Sequence, residues 1–321
     1  MVLSATTNAD VSPASNGRQR RIDAALLSSQ RPTISFEYFP PKSDAGADLL
    51  FTKLRSMRNM NPVWIDVTFG AGGSTSQRTL AICEFASKKL GVDVMMHLTC
   101  TNMTVTDIDM VLEQMKETGL RNIMALRGDP PRDSGAWTQC DGGFRHAVDL
   151  VRYIRSRYGD YFCIGVAGYP EGHTDCEDLD LDLKYLKEKI DAGADMIITQ
   201  LFYDTSLFLD FVSRARAIDI TCPIVPGIMP ITTYGGFVKM VAMCKTHVPP
   251  DVLRRVEEVK DDDTKIRKLG IDIATDMCKQ LVNSGQVESV HLYTMNNEDN
   301  IREIIRGLSD TLPEGHKQWM Y

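Results

Sequence analysis

The sequence places an arginine and an aspartate on either side of a glycine directly after the apolar run 122–126, and two prolines follow. Proline lacks a backbone N–H, so this turn ends the predicted strand and fixes the direction in which the chain leaves it. Arg127 and Asp129 could form a mutual salt bridge, but a buried ion pair contributes little net stability. We therefore interpret this turn as part of a functional site rather than as packing alone.

A second candidate is the carboxyl group of Glu37, which lies among aromatic residues and prolines in the segment FEYFPPK at 36–42. Apolar surroundings remove water from a carboxyl group and favour its protonated form. Glu37 is therefore a candidate general acid near neutral pH. An ion pair with Lys42 or Arg127 explains the same spacing equally well, and the sequence leaves both interpretations open.

Polar residues also follow other apolar runs of the chain. Gln200 offers an amide donor and acceptor that suit the edge of a heterocycle, whereas His97 taken alone is better explained as a core histidine. Tyr169 and Tyr293 taken alone are typical of packing at a rim. Together with Thr68, which ends another run, these residues predict a site for a large polar cofactor.

Eight strand-like runs alternate with segments of helical periodicity. The runs are Thr33–Phe39, Val63–Phe69, Val92–Thr99, Asn122–Leu126, Tyr161–Ala167, Met196–Phe202, Pro223–Ile228 and Ser289–Tyr293. This alternation predicts a (β/α)8 TIM barrel, an α/β fold in which the carboxyl ends of the strands form the active site. A doubly wound open sheet is the rival fold, but the first run is not followed by the Gly-x-Gly-x-x-Gly turn with which that fold binds a dinucleotide.

The predicted organisation is a single catalytic domain over residues 32–312, with tails at 1–31 and 313–321. The N-terminal tail is rich in Ser, Ala, Asn and Arg, and we expect it to be mobile, with one helical turn near Ile22–Leu27. The long connection between the seventh and eighth runs predicts extra helices. Asp182 and Lys189 share one face of a predicted helix, a pattern that is typical of a solvated face.

Composition argues against several classes of protein. The net charge of −7, with acids and bases interspersed, is unfavourable for nucleic-acid binding, and the sequence contains neither a membrane-spanning run nor a secretory leader. Eight scattered cysteines without a Cys-x-x-Cys pair predict a reducing compartment, by default cytoplasmic, although the N-terminal tail leaves a mitochondrial location open. The six histidines lack zinc-type spacing, so no metal site is predicted.

Several long motifs follow one another along the chain. They are FEYFPPK (36–42), DVTFGAGG (66–73), HLTCT (97–101), ALRGDPP (125–131), AGYPEGH (167–173), GADMIITQLFY (193–203), PIVPGIMPI (223–231) and HLYTMN (291–296). In these motifs the sequence resembles the methylenetetrahydrofolate reductase family, over about Thr33 to Leu308, nearly its whole catalytic domain. The resemblance is to eukaryotic-like members, whose C-terminal regulatory domain binds S-adenosylmethionine. The chain stops soon after the predicted barrel, at Tyr321, so we expect this domain, and feedback inhibition through it, to be absent.

The resemblance implies a flavoprotein oxidoreductase of one-carbon metabolism that supplies methyl groups for methionine synthesis. NAD(P)H would reduce bound FAD and leave, and methylenetetrahydrofolate would then enter the same face and become methyltetrahydrofolate, by a ping-pong route. Glu37 matches the family's proton donor, which opens the five-membered ring of the folate to an iminium ion. Asp129 matches the acid whose negative charge favours that cation.

The resemblance also implies binding residues. Gln200 and Tyr293 match positions that contact folate, and Tyr234, after the seventh run, is an additional candidate for stacking on folate or nicotinamide. The positions that match the FAD site are Thr68, Phe69, His97, Arg127, Gly128, Asp129, Ala147, Tyr169, His173, Asp182 and Lys189.

The sequence departs from the family pattern at three places. His146 replaces a common tyrosine in the FAD site. Residues 174–176 replace Pro-Glu-Ala, and we expect Asp175 among them to weaken or reroute a cofactor contact. Asn297 replaces an arginine near the substrate, and Arg302 in the following helix is a candidate to compensate.

Two other functions stay open from the sequence. One is a flavin-dependent barrel oxidoreductase with a different acceptor, which Asn297 suggests, and the other is a catalytically silent folate- or flavin-binding subunit. The presence of Glu37, Asp129 and Gln200 argues against both. The choice between NADH and NADPH is open because the sequence has no dinucleotide fingerprint, and helical faces outside the barrel leave a homo-oligomer open.

Overall fold

The computed structural model of the protein describes residues 18–29, 32–69, 76–129 and 138–309. The strands are β1 (Thr33–Tyr38), β2 (Trp64–Val67), β3 (Asp93–Thr99), β4 (Asn122–Leu126), β5 (Cys163–Gly168), β6 (Met196–Thr199), β7 (Ile224–Val225), β8 (Gly227–Ile228) and β9 (Ser289–Tyr293). The helices are α1 (Ile22–Ser28), α2 (Asp44–Arg58), α3 (Ser76–Leu90), α4 (Val105–Thr118), α5 (Ala147–Tyr158), α6 (Leu179–Asp191), α7 (Thr205–Ala217), α8 (Tyr234–Cys244), α9 (Pro250–Glu258), α10 (Asp263–Asn283) and α11 (Glu298–Gly307).

The strands are all parallel and follow the order β7-β6-β5-β4-β3-β2-β1-β9-β8. Only Pro226 separates β7, which pairs with β6, from β8, which pairs with β9. Proline has no N–H to donate to the ladder, which explains the interruption, while its carbonyl accepts a hydrogen bond from the backbone N–H of His291. The two short segments together serve as the seventh strand of a nearly closed barrel, so the predicted TIM barrel is confirmed.

Successive side chains of each strand point to opposite sides of the sheet, which divides the apolar core into two regions. Phe36 and Tyr38 of β1 belong to the larger region, between the sheet and the helices. Trp64, Met95 and Met124 belong to the smaller region, which fills the barrel interior near the amino ends of the strands. The interior near the carboxyl ends is left for polar side chains.

Helix α1 closes the amino-terminal end of the barrel. Ile22 and Leu26 are buried against the interior cluster, and the side-chain oxygen of Asn122 accepts a hydrogen bond from the backbone N–H of Ile22 at 2.9 Å. The predicted mobile tail of residues 1–31 was therefore wrong for residues 18–29, because two apolar side chains fill the bottom of the barrel. The predicted helical turn in this segment is confirmed as α1.

Local signals set the helix boundaries. Thr104 and Asp107 form a reciprocal capping box at the start of α4, and Gly119 ends that helix in a left-handed conformation with φ +81°. The three helices α8, α9 and α10 fill the connection between β8 and β9, as its length predicts. Among the described residues, none of the helices is long and apolar enough to cross a membrane.

Candidate active site

The carboxyl ends of the strands surround a cavity of about 380 Å³, which we call the central cavity. Glu37 of β1 is the register partner of Asp66 in β2 and of Tyr293 in β9, so these three side chains share one level of the barrel interior. The residues proposed from the sequence that line this cavity are Glu37, Thr68, Phe69, His97, Arg127, Gly128, Asp129, Tyr169, His173, Gln200 and Tyr293.

A second cavity of about 350 Å³, the side cavity, lies against α5 and α6. It shares Arg127, Tyr169 and His173 with the central cavity, so the two adjoin. The residues proposed from the sequence that line the side cavity are Arg127, His146, Ala147, Tyr169, His173, Asp182 and Lys189. The structure thus brings the candidate cofactor residues from distant parts of the chain to one continuous surface.

Glu37 contacts two imidazole rings. Its Oε2 lies 3.5 Å from Nε2 of His97 and 3.8 Å from Nε2 of His291. The alternative interpretation from the sequence, an ion pair with Lys42 or Arg127, was therefore wrong. The side chain of Glu37 remains 22% exposed toward the cavity, which leaves it accessible to a bound molecule.

Asp66, a fully buried acid that the sequence analysis missed, lies behind His97. Its Oδ2 lies 3.2 Å from Nε2 of His97, and its Oδ1 accepts a hydrogen bond from Nε1 of Trp64 at 2.5 Å. Burial disfavours the charged imidazole, but the hydrogen bond to Asp66 and the negative charges of Glu37 and Asp66 outweigh it and raise the pKa of His97. The available signal was an acid inside the apolar strand WIDV.

His291 is a second residue that the sequence analysis did not single out. It is fully buried, and its Nδ1 shares a hydrogen bond of 2.8 Å with Oγ of Ser35, its register partner in β1. Its Nε2 has no hydrogen-bond partner among the described residues and faces Glu37. Ser35, His291 and Glu37 therefore form a polar path through the barrel interior to the cavity.

Arg127 binds Asp175 of the loop after β5, with Nη2 and Oδ2 2.9 Å apart. A mutual salt bridge between Arg127 and Asp129, the alternative that the sequence offered, is not found among the described residues. The guanidinium holds the pKa of Asp175 below its ordinary value. Asp129 is exposed at the mouth of the central cavity. One of the departures from the family pattern thus contacts a candidate cofactor residue directly.

Lys189 places a partly buried ammonium group at the side cavity. Its Nζ donates a hydrogen bond to the carbonyl oxygen of Ala167 at 2.6 Å and lies 5.8 Å from the centre of the Tyr169 ring. Burial lowers the pKa of Lys189 to about 8, against the opposing effect of Asp182, whose own pKa is raised by burial. The spacing of Asp182 and Lys189 alone suggested a solvated helix face. That interpretation was wrong, because this face of α6 lines the side cavity.

The two residues proposed to contact folate lie at the carboxyl ends of two strands, Gln200 directly after β6 and Tyr293 at the end of β9. Tyr293 donates a hydrogen bond from its hydroxyl to the carbonyl of Thr199 at 2.6 Å. A Cβ atom at Gly227 would lie 2.6 Å from the Tyr293 ring, so the glycine makes room for it. The Oε1 atom of Gln200 accepts a hydrogen bond from the backbone N–H of Leu201 at 2.9 Å. The amide nitrogen of Gln200 is then left to donate to a bound molecule.

Two other proposed substrate residues line neither cavity. The hydroxyl of Tyr234 donates to Glu257 at 2.6 Å, and the side chain of Asn297 caps α11. Arg302, the candidate to compensate for Asn297, is held by Glu298 at 2.5 Å. The assignment of Tyr234 and Asn297 to the substrate stays a prediction.

The fold and the site define a TIM-barrel protein with an acid between two imidazoles and an elongated, partly cationic cavity at the carboxyl ends of its strands. A sequence model of the methylenetetrahydrofolate reductase family matches residues 21–309. The chain belongs to the methylenetetrahydrofolate reductase family.

Curated relatives agree with this assignment. The chain is 48% identical to methylenetetrahydrofolate reductase (NADH) 1 of Zea mays over 87% of this chain and 48% of that protein, and 46% identical to methylenetetrahydrofolate reductase 2 of Saccharomyces cerevisiae over 87% and 47%. It is 34% identical to the 5,10-methylenetetrahydrofolate reductase of Pectobacterium carotovorum over 83% of this chain and 86% of that protein. The chain thus spans about half the length of the plant and yeast relatives.

One solved structure supports the fold. It is described as an uncharacterized protein from Clostridium thermocellum that binds two copies of 5-methyl-5,6,7,8-tetrahydrofolic acid. The TM-score is 0.59 over 90% of this chain and 98% of that chain, at 13% sequence identity. At this identity the likeness shows the shared barrel alone.

Proposed function

We propose that this protein catalyses the FAD-dependent reduction of methylenetetrahydrofolate to methyltetrahydrofolate, with NAD(P)H as the electron donor. Family membership supports the reaction, and relatives are named for NADH or for NADPH. The observation that carries the proposal is Glu37, a carboxyl group that faces the central cavity while two imidazoles contact one of its oxygens. The reaction would supply methyl groups for methionine synthesis.

The residues of the two cavities fit FAD. Arg127 and Lys189 offer cationic groups for a diphosphate along the side cavity, and an ammonium whose pKa is lowered to about 8 still carries its charge at neutral pH. His97 and Thr68 line the central cavity, where a flavin ring would face Glu37. When bound there, FAD would carry hydride from NAD(P)H to the folate.

Glu37 would supply the proton. Its Oε2 faces the two imidazoles, whereas no hydrogen bond to Oε1 is found among the described residues, which leaves this oxygen for the substrate. A proton passed from Glu37 to a ring nitrogen of methylenetetrahydrofolate would open the five-membered ring to an iminium ion. Asp129 at the cavity mouth would favour that cation by its charge.

The folate and the nicotinamide donor would bind at the same face of the barrel. Gln200 and Tyr293 line the same central cavity as Glu37, so a folate held by them would compete for this space with the nicotinamide donor. Competition for one space requires the donor to leave before the folate enters. This supports a ping-pong sequence.

Substitution of Glu37 by glutamine tests the proposal, because the amide keeps the size of the side chain but has no acidic proton. We expect Glu37→Gln to keep flavin reduction by NAD(P)H near the wild-type rate in stopped-flow absorbance. Flavin reoxidation by methylenetetrahydrofolate should fall by roughly 10²-fold or more. Glu113→Gln, on the outer surface of α4, is the matched control and should leave both half-reactions unchanged. Full-rate folate reduction by Glu37→Gln would show that Glu37 is not the acid.

We also propose a cytosolic location. All eight cysteines have free thiols in the structure, and Cys83, Cys100, Cys163 and Cys278 are buried. Free, scattered thiols are typical of proteins in a reducing compartment.

A further inference from the structure

We propose that Asp66 is a positioning residue for proton transfer, which holds a proton on Nε2 of His97 beside Glu37. The consequence is that His97 keeps this proton to a higher pH than an isolated imidazole would. The inference rests on the proposed function, in which Glu37 is the acid. Asp66 itself is not required to touch the substrate.

The contacts of Asp66 suit a group that accepts hydrogen bonds through both of its oxygens. Trp64 presents an indole N–H to Oδ1, and an indole nitrogen can only donate. Oδ2 lies 3.2 Å from Nε2 of His97, and in the arrangement we propose Nε2 carries the proton and Oδ2 accepts the hydrogen bond. Because Asp66 is fully buried, water does not replace either donor.

The same nitrogen of His97 faces two carboxylates. Nε2 lies 3.2 Å from Asp66 and 3.5 Å from Glu37, so one N–H serves both acids. When Glu37 gives its proton to a substrate, a carboxylate forms 3.5 Å from Nε2 of His97. The N–H group that Asp66 holds at this nitrogen would stabilise the carboxylate that the proton transfer leaves behind.

The groups that face this cluster come from several elements. Glu37 belongs to β1, Asp66 to β2 and His97 to β3, while His291 of β9 contacts the far side of Glu37. Cys83 of α3 also interacts with Asp66. Burial and the negative charge of Asp66 both raise the pKa of the Cys83 thiol, so this thiol stays neutral. Asp66 is thus the fully buried group that supplies negative charge to His97.

Asp66→Asn separates this role from packing. Asparagine has nearly the same shape but only one side-chain acceptor oxygen, so it cannot accept from both Trp64 and His97. If the amide oxygen stays on Trp64, the amide nitrogen faces His97 and forces Nε2 to lose its proton. The substitution therefore lowers the proton affinity of His97 without opening a cavity.

The first readout is the titration of His97 in the full chain, followed by NMR of histidine labelled in its imidazole ring. The protein has only six histidines, so the spectrum contains few imidazole signals. The signal of His97 is identified as the one that disappears in His97→Gln. We expect Asp66→Asn to lower the His97 midpoint by about one pH unit. Asp93→Asn is the matched control, since Asp93 is a largely buried acid at the other end of β3 that pairs with Arg20. It should leave the midpoint unchanged, and an unchanged midpoint in Asp66→Asn would overturn the inference.

The second readout is the pH profile of each half-reaction. In Asp66→Asn the alkaline limb of folate-dependent flavin reoxidation should move to lower pH by about one unit, while flavin reduction by NAD(P)H keeps its profile. His97→Gln should move the limb in the same direction, and the double variant should add nothing further. If Asp66→Asn does not fold, His97→Gln alone carries the test, since it removes the partner of Asp66, and an unmoved alkaline limb in that variant would overturn the role in proton transfer.

The two proposals fail in different ways. A wild-type protein without flavin half-reactions contradicts the proposed function, whereas the NMR titration still decides the role of Asp66 toward His97. If the wild-type protein shows both half-reactions but the pH profile of folate-dependent reoxidation is unshifted in both Asp66→Asn and His97→Gln, Asp66 has no role in proton transfer. Equal losses in both half-reactions, with unchanged pH profiles, would assign Asp66 to structure alone.

Discussion

Gly128 lies between Arg127 and Asp129, and its replacement by alanine should be costly for two separate reasons. The backbone has φ +87°, a left-handed conformation that costs a residue with a Cβ atom about 1–2 kcal/mol. A Cβ atom here would also lie 2.5 Å from Oγ1 of Thr101 and 2.9 Å from Cβ of Thr99. Overpacking of this kind costs about 1–3 kcal/mol more.

Thr101 cannot turn away from the added methyl group without further loss. Its hydroxyl lies 3.0 Å from the carbonyl oxygen of Arg127 and 3.2 Å from that of Asp129, on either side of Gly128. A rotation that relieves the clash would break these contacts. We therefore expect Gly128→Ala to lower the free energy of unfolding by about 2–5 kcal/mol in urea titrations followed by circular dichroism.

Gly91 provides the matched control. It has φ +66°, also left-handed, but no atom lies within 4 Å of the position of its Cβ. Gly91→Ala should therefore cost only the backbone term of about 1–2 kcal/mol. The difference between the two variants measures the steric clash, and equal losses of stability would refute this account of the turn. Gly128→Ala should also weaken FAD binding, because the displaced turn carries Arg127, whereas Gly91→Ala should not.

Two further predictions concern the side cavity, and both are measured by quenching of flavin fluorescence when FAD binds. Lys189→Met should weaken FAD binding by about tenfold, because it removes one charge-assisted hydrogen bond. In the wild-type protein the affinity for FAD should fall as the pH rises through about 8, because the ammonium of Lys189 then loses its proton. A wild-type affinity independent of pH between about 7 and 9 would contradict the assignment. Asp175→Asn should tighten FAD binding by about two- to fivefold, because an exposed ion pair with Arg127 is worth about 0.2–1 kcal/mol. Weaker binding in that variant would show that Asp175 supports the cofactor instead of competing for Arg127.

The barrel and the location of the site were predictable because both depend on patterns along the chain. Alternating strand and helix periods indicate parallel strands, and the carboxyl ends of parallel strands meet at one end of a barrel. Glu37, Arg127 and Gln200 could be brought together by that rule alone. Strand lengths were less predictable, since Pro226 divides the seventh strand by a local hydrogen-bonding effect.

The partners of each site residue were not predictable, because they depend on register between strands that are distant in sequence. Ser35 and His291 are 256 positions apart, yet they share one hydrogen bond as register partners in β1 and β9. Asp66 was missed because a single acid in a short apolar strand carries no sign of what lies opposite it. Docking of α1 into the barrel was missed because a short apolar patch in a polar segment forms a weak pattern.

The most direct test of the proposed function is an anaerobic visible absorption spectrum of the purified protein, first supplied with FAD. NADH or NADPH is then added, followed by methylenetetrahydrofolate. We predict a flavin band that bleaches with the nucleotide and returns with the folate, which would establish the cofactor, both substrates and their order. A band that bleaches but does not return with folate would point to a different acceptor, and a protein that binds no flavin would contradict the proposed function.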